Sequence, residues 1–306
     1  MRFSQREGLF ISETHTKAIE WSFTVEKILA AGNTKYQEYQ IVEIPRFGKT
    51  LFLDWKIQSS LLDEYIFHEC MSQPAMTLHP NPKTVFVAGG GEGATLREAL
   101  SHNTVTKAVM VDIDAELVEM TKKHMPEWHR GAFDDPRTTL LHTDARKYLE
   151  ETDERFDVIL SDLPDPVEEG PAIYLFTKEY FSICRDRLTE DGVYAMQAGC
   201  ANLSYPECFA ACVQTLKEVF PIVRPYYAIM TTFMMAWGFV LASNKYDPLQ
   251  LTESEIAKRH KERGVSTRYY TPRFHTSVFT PPDYLLEAIE KNSRVVTDAE
   301  PFVWSA

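Results

Sequence analysis

The residues with the clearest chemical potential are carboxylates at recurring points of a regular pattern. Asp162 and Asp165 stand three apart in Asp162-Leu163-Pro164-Asp165-Pro166, a segment stiffened by two prolines. Such a pair can take a proton from a reacting group and hold a cation beside it. The same residues also have a plain structural use, because Asp-Pro favours turn initiation. Upstream, Gly89-Gly90-Gly91-Glu92-Gly93 follows the apolar run Val85-Phe86-Val87-Ala88, and Asp112 lies 23 residues after Gly89. Glycines there let the backbone approach a nucleoside closely, and an acid about 20 residues on is placed to accept hydrogen bonds from ribose hydroxyls. Glu92 sets a carboxylate where a pyrophosphate would sit, so the turn suits an uncharged or cationic group, such as the sulfonium of an S-adenosylmethionine derivative. Alternatively, Glu92 caps the following helix and faces solvent. Asp144, in His142-Thr143-Asp144-Ala145, is positioned for an adenine amino group.

The elements that must position these residues fall into two textures. From about residue 8 to 60 short alternating runs, such as Tyr39 to Ile44 and Thr50 to Leu53, predict a small antiparallel sheet. A helix is expected from Asp63 to Gln73, then a linker at Leu78-His79-Pro80-Asn81-Pro82. Beyond it apolar strands alternate with amphipathic helices: strands at Thr84 to Ala88, Ala108 to Asp112, Thr139 to His142, Asp157 to Ser161 and Val193 to Gln197, helices at Ala94 to Ser101, Glu116 to His124 and Thr177 to Leu188. Near-continuous apolar strands separated by helices mean a parallel sheet covered on both faces. The fold class is therefore α/β, with antiparallel β structure and its following helix over 1–78 and a parallel sheet covered by helices over 79–306. Ligands of such sheets bind beyond the carboxyl ends of the strands, where the acids and glycines above fall.

Composition narrows the classes further. With 32 Lys and Arg against 44 Asp and Glu in 306 residues, the formal charge is −12, which argues against nucleic acid and favours cationic partners. Five cysteines, without a C-x-x-C pair, indicate neither a disulfide framework nor a zinc knuckle, and no metal is expected. Cys208 and Cys212, four apart on a helical stretch, read as small buried apolar residues in a reduced cytosol. The polar opening MRFSQREGLF is no signal peptide. Pro225 to Asn244 lacks any charge but divides into two β-rich runs, so two buried strands are expected rather than a membrane span. The protein is expected to be cytoplasmic, with no membrane partner.

Together these motifs resemble the polyamine aminopropyltransferases, the spermidine, spermine and thermospermine synthases. The resemblance rests on Gly89 to Gly93 with Leu96-Arg97-Glu98, Val111-Asp112-Ile113-Asp114, Phe156 to Ile159, Asp162 to Pro166 and Gln197. It extends to Tyr36-Gln37, Leu53-Asp54, Gln58, Asp63-Glu64-Tyr65 and His68-Glu69, and in the tail to Arg268-Tyr269-Tyr270 and His275 to Pro281. It implies a Rossmann-like, methyltransferase-type doubly wound sheet as catalytic domain over 79–306 behind a small amino-terminal antiparallel β domain over 1–78, in a homodimer or homotetramer that uses decarboxylated S-adenosylmethionine as co-substrate, needs no cofactor, and releases methylthioadenosine and a longer polyamine. By the same resemblance Gln37, Gly89, Gly91, Glu92, Asp112, Ile113, Asp144 and Ala145 would hold the donor. Asp162 would be the acid–base residue, and His68, Phe67, Asp165, Gln197 and Thr232 would line the acceptor side.

The sequence departs from the putrescine-using pattern. Met230-Thr231-Thr232-Phe233-Met234-Met235 replaces P-T-Y-P-S-G, with Thr232 at the tyrosine position, and Phe67 stands where a tyrosine is usual. Asp162 to Pro171, with Glu168 and Glu169, and the glutamate at Glu92 look closer to thermospermine synthases. An acceptor of spermidine length or longer is therefore expected. The alternatives are a spermidine synthase with a variant pocket, an S-adenosylmethionine-dependent methyltransferase, whose N-P-P-Y type of motif is absent here, and a non-catalytic polyamine-binding protein.

Overall fold

The computed structural model describes residues 8–167, 170 and 172–304. Its amino-terminal part is antiparallel. Strands β1 (Leu9–Thr16) and β2 (Ile19–Val25) form a hairpin, and β3 (Lys27–Asn33), β4 (Glu38–Ile44), β5 (Gly48–Leu53) and β6 (Lys56–Ser60) form a four-stranded meander. Helix α1 (Glu64–Leu78) follows and packs against the larger sheet.

Next come β7 (Thr84–Gly89), α2 (Ala94–Leu100), β8 (Lys107–Val111), α3 (Ala115–His124), the short α4 (Pro126–His129), β9 (Thr138–Leu141), α5 (Ala145–Glu151) and β10 (Phe156–Asp162). The remaining elements are α6 (Lys178–Arg187), β11 (Leu188–Cys200), α7 (Glu207–Lys217), β12 (Ile222–Met230), β13 (Met235–Ser243), α8 (Glu253–Arg263), α9 (His275–Val278) and α10 (Asp283–Lys291). The seven strands from β7 onward make one sheet in the order β12-β13-β11-β10-β7-β8-β9. β9, β8, β7, β10 and β11 run parallel, and β13 is antiparallel to both β11 and β12. This is the covered parallel sheet expected from the alternating pattern, in the doubly wound, methyltransferase-type arrangement that the family resemblance implies.

Alternation along the strands fills two core layers. On β7, Val85 and Val87 bury into the layer shared with α1 and α2, and Phe86 and Ala88 into the layer shared with α5, α6 and α7. The uncharged stretch from residue 225 forms most of β12 and all of β13, and among the described residues no helix is long and apolar enough to cross a membrane. All five cysteines are buried free thiols, with Cys208 and Cys212 on the core face of α7.

Helix α1 departs from its expected end at Gln73, because it continues through Pro74 to Leu78. Pro74 has no N–H for the carbonyl of Cys70, four residues earlier. The Tyr226 hydroxyl, from β12, donates to that carbonyl instead at 2.8 Å, so no buried acceptor is orphaned.

Candidate active site

The site forms where the sheet order reverses. From β7 the chain passes to β8 on one side, and β10 lies on the other, which leaves a crevice beyond the carboxyl ends of β7 and β10. Gly89 and Asp162 are direct ladder partners there. Gly89 and Gly90 adopt φ of 74° and 77°, a region closed to most side chains. A Cβ on Gly89 would run into the Asp162 carbonyl oxygen, and one on Gly90 would meet Asp162 Oδ2 at 3.0 Å. The glycines thus let the turn lie directly against the proposed acid–base residue.

A cavity of about 490 Å³ occupies this crevice, and Glu92, Asp112, Asp144, Asp162 and Asp165 all line it. The sequence expectation that these carboxylates converge is met. Gln37, Gly89, Gly91, Ile113, Ala145, Phe67 and Gln197 line it too.

At one end Asp112 Oδ1 accepts the Asp114 N–H at 2.8 Å, which fixes the side chain beside Gly91. Burial, then the neighbouring charges of Asp114, Glu92 and Asp162, push Asp112 up to about 7. Asp114 itself caps α3 through Leu117 N and accepts hydrogen bonds from Thr34 at 2.6 Å and Gln37 at 2.9 Å. Gln37 therefore reaches this end of the cavity from the loop after β3, pinned by an acid at the start of α3. Asp144 caps α5 by accepting from Lys147 N at 3.0 Å.

In the middle, Asp162 Oδ2 accepts the Thr95 hydroxyl at 2.6 Å. Burial and the adjacent Glu92 charge raise its carboxyl to about 6. Glu92 goes the other way. Burial opposes its charge, but the hydrogen bond and positive charge of His68 outweigh that and hold it below the usual range.

Beyond Asp162 lies Asp165, raised to about 6 mainly by burial. Gln197 stabilises the loop that carries it: Nε2 donates to the Leu163 carbonyl at 2.6 Å and toward Asp165 Oδ1 at 3.4 Å, while Oε1 accepts from Gly199 N at 2.8 Å and Trp237 Nε1 at 3.1 Å. Phe67, Phe233 and Trp237 form an aromatic wall, with centroid separations of 6.0 Å for Phe67 to Phe233 and 4.5 Å for Phe233 to Trp237.

Two expected acceptor residues sit elsewhere. His68 does not line the cavity; its ring is buried behind Glu92, with Nε2 at 3.1 Å from Glu92 Oε1 and Nδ1 at 3.0 Å from Glu64 Oε2. Arg97 in turn binds Glu64 through both guanidinium nitrogens, at 3.0 and 3.3 Å. Although burial opposes its charge, the two carboxylates raise His68 to about 10, so it is a cation that holds Glu92 in place. Thr232 is also withdrawn. Its N–H and hydroxyl both donate to Asp63, and its hydroxyl pairs with Ser60, because the turn before β13 buries it against the start of α1. Glu168, Glu169 and Pro171 lie outside the described residues.

Sequence reasoning missed the far end of the cavity, where Glu13, His15, Trp21, Lys56 and Trp304 contribute. A signal was present, since the inward face of β1 carries Ile11, Glu13 and His15, two of them polar.

Chemically, the cavity offers a nucleoside-sized end beside the glycine turn, a carboxylate with raised proton affinity at its centre, and an aromatic, acid-lined extension. That arrangement can bind a cationic donor and accept a proton from a cationic nucleophile.

Comparison with known proteins agrees. Residues 64–253 match the spermine/spermidine synthase domain and residues 9–60 match the spermidine synthase tetramerisation domain. Polyamine aminopropyltransferase 1 of Hyperthermus butylicus is 47% identical over 256 residues, which is 83% of this chain and 87% of that protein. The polyamine aminopropyltransferase of Sulfurisphaera tokodaii is 38% identical, covering 92% of this chain and 96% of the relative. The crystal structure of spermidine synthase from Thermotoga maritima superposes with a TM-score of 0.84 at 29% identity, covering 95% of this chain and 97% of that one. A spermidine synthase in complex with the transition-state analogue AdoDATO gives 0.85, also at 29% identity, covering 95% and 98%.

Proposed function

Because the chain belongs to the spermine/spermidine synthase family and is a polyamine aminopropyltransferase, we propose that it extends spermidine or a longer polyamine to a thermospermine-like product. The donor of this family is decarboxylated S-adenosylmethionine, a substrate rather than a resident cofactor. What carries the acceptor reading is the extension of the cavity past Asp165 to Glu13, so that a third carboxylate follows Asp162 and Asp165. The side wall there is phenylalanine and tryptophan, and Thr232, at the position of a usual tyrosine, is turned away to Asp63. A triamine has three nitrogens to place against three acids.

In this reading Gln37, Asp112 and Asp144 hold the nucleoside, and Glu92 faces the donor's positive charge. The attacking amine arrives as an ammonium, and its deprotonation at pH 7 costs roughly 4 to 5 kcal/mol against an ordinary amine. Asp162 receives that proton as the nitrogen lone pair attacks the carbon bonded to sulfur. The carbon–sulfur bond breaks, its electron pair stays on sulfur, and the positive sulfonium becomes the neutral thioether of methylthioadenosine. A new C–N bond remains on the acceptor. Asp165 keeps the chain in register, and positioning supplies much of the remaining acceleration.

The match of residues 9–60 to a tetramerisation domain supports a homo-oligomer. Asp162→Asn is expected to lower kcat by 100-fold or more, on the order of what a positioned general base contributes, with little change in methylthioadenosine affinity. Wild-type kcat/KM is expected to be higher for spermidine than for putrescine. A strong preference for putrescine would refute the acceptor assignment and leave the ordinary spermidine synthase reading.

A further inference from the structure

The far end of the cavity is built around a histidine with an unfilled hydrogen bond. His15 is 7% exposed and lines the cavity, and its Nε2 is buried without a hydrogen-bond partner among the described residues. A buried polar atom left unpaired costs about 1 to 3 kcal/mol, so such an atom on a residue that lines a binding cavity marks a side chain with hydrogen-bonding capacity to offer a ligand. The local backbone is arranged to present it. The β1–β2 ladder slips between Thr14 and Thr16, a bulge centred on His15, and bulges re-aim side chains at functional sites.

The ring is fixed on every side. Trp21 of β2 stacks on it at 4.6 Å with an interplanar angle of 14°, Tyr205 meets it edge-on at 5.7 Å, and Trp304 lies 6.2 Å away. Trp304 is itself tied down, because its N–H donates to the Pro166 carbonyl at 2.7 Å next to Asp165. Burial, and then the positive charge of Lys56, hold the imidazole below its ordinary pKa, so the ring is neutral and one nitrogen keeps a lone pair.

The charges around it set what the partner is. Glu13 and Asp165 contribute two carboxylates, and Lys56 from β6, whose Nζ donates to the Thr14 carbonyl, contributes one cation. One carboxylate remains unbalanced when both are ionised. Glu13 Oε2 already accepts the Ile57 N–H at 2.9 Å, and burial raises the Glu13 carboxyl above its ordinary value. A second ammonium on the acceptor would supply both the missing charge and the missing N–H donor.

We propose that His15 is a specificity-determining residue whose neutral imidazole accepts a hydrogen bond from the ammonium at the far end of a triamine acceptor. The assignment rests on the longer-acceptor reading above and adds the residue that measures the length. A diamine held at Asp162 and Asp165 ends short of His15, and a triamine reaches it.

The test compares the wild type with His15→Phe, which keeps the stacked ring but removes the acceptor nitrogen, and His15→Gln, which restores an acceptor oxygen. KM and kcat are measured for putrescine and spermidine at saturating donor, together with methylthioadenosine affinity as a check on folding. His15→Phe is expected to raise the KM of spermidine about tenfold while that of putrescine changes less than about twofold, and His15→Gln to recover most of the loss. An equal effect on both acceptors, or none on either, would overturn the proposal and leave a trapped water as the partner of Nε2. The wild type's own preference tests the longer-acceptor reading, and the change in the spermidine-to-putrescine KM ratio tests His15, so the two failures are separable. If His15→Phe loses methylthioadenosine binding, the His15→Gln ratio decides.

Discussion

At the scale of single residues, Asp162 and Asp165 are buried carboxylates whose proton affinity stays raised until a cation arrives. Both lie near 6, chiefly because burial disfavours their charge. An entering ammonium favours the ionised form, lowers these values and releases protons. Acceptor affinity should therefore rise as pH climbs to about 6 and level off above 7, with each carboxylate that must ionise contributing about tenfold tighter spermidine binding at pH 7 than at pH 5. Calorimetry in the presence of methylthioadenosine measures this, and Asp165→Asn should flatten the slope; equal affinity at both pH values would contradict it. His68 obeys the opposite sign. Its folded value near 10 exceeds the unfolded 6.5, so its stabilising contribution is complete below pH 6.5 and disappears as pH rises through 10. His68→Leu would leave Glu92 a buried charge without its cation, a loss on the order of 3 kcal/mol in urea unfolding, and adding Glu92→Gln should recover part of it. The places of Asp112 and Asp162 in the cavity could be inferred from chain position, because an acid at a parallel strand's carboxyl end has few other places to point. The place of His68 could not, since its partner Glu92 is 24 residues away and only packing decides which side of that carboxylate the imidazole occupies.

At the scale of elements, most of the sheet was legible because its strands are nearly continuous apolar runs between Gly, Asp and Pro signals, although β11 extends from Leu188 to Cys200, well beyond the expected Val193 to Gln197. What escaped was decided by a partner distant in sequence. The sequence places a helix end before Pro74, which is the right local inference, yet α1 runs on because Tyr226, 156 residues away, supplies the hydrogen bond that the proline removes. This makes a specific prediction. Tyr226→Phe keeps the ring, which stacks on Phe239 at 5.4 Å, but orphans the Cys70 carbonyl, and should cost about 1 to 3 kcal/mol. With Pro74→Ala the helix regains its own N–H donor, so the same Tyr226→Phe change should cost less. A double-mutant cycle by denaturant unfolding reads the difference, and additive costs would show that the hydroxyl and the proline are not coupled. The β1 bulge escaped for a related reason. Alternation predicts that Glu13 and His15 share a face, but whether that face meets core or cavity depends on where the hairpin docks.

At the scale of the whole molecule, the formal charge of −12 is partly localised. Among the described residues seven carboxylates line one cavity, five of them from the glycine turn to Asp165 with Asp54 and Glu13 besides, and Lys56 is the only lysine or arginine that joins them. A crevice walled by protein concentrates the field of such a cluster, which draws in polycations and speeds their encounter. Methylthioadenosine, the product, carries no charge, so the same field does little to retain it. The two ligands should consequently separate under salt. Raising ionic strength from about 0.01 M to about 0.3 M shortens the screening length from about 30 Å to under 10 Å, which removes long-range attraction but leaves contacts inside the cavity. The KM of spermidine is expected to rise several-fold over that range, while the inhibition constant of methylthioadenosine moves less than about twofold. Asp165→Asn should reduce the salt slope of spermidine without touching that of the product. Parallel salt dependence of the two would mean that the cavity acids act only at contact range and that the excess negative charge serves the surface alone.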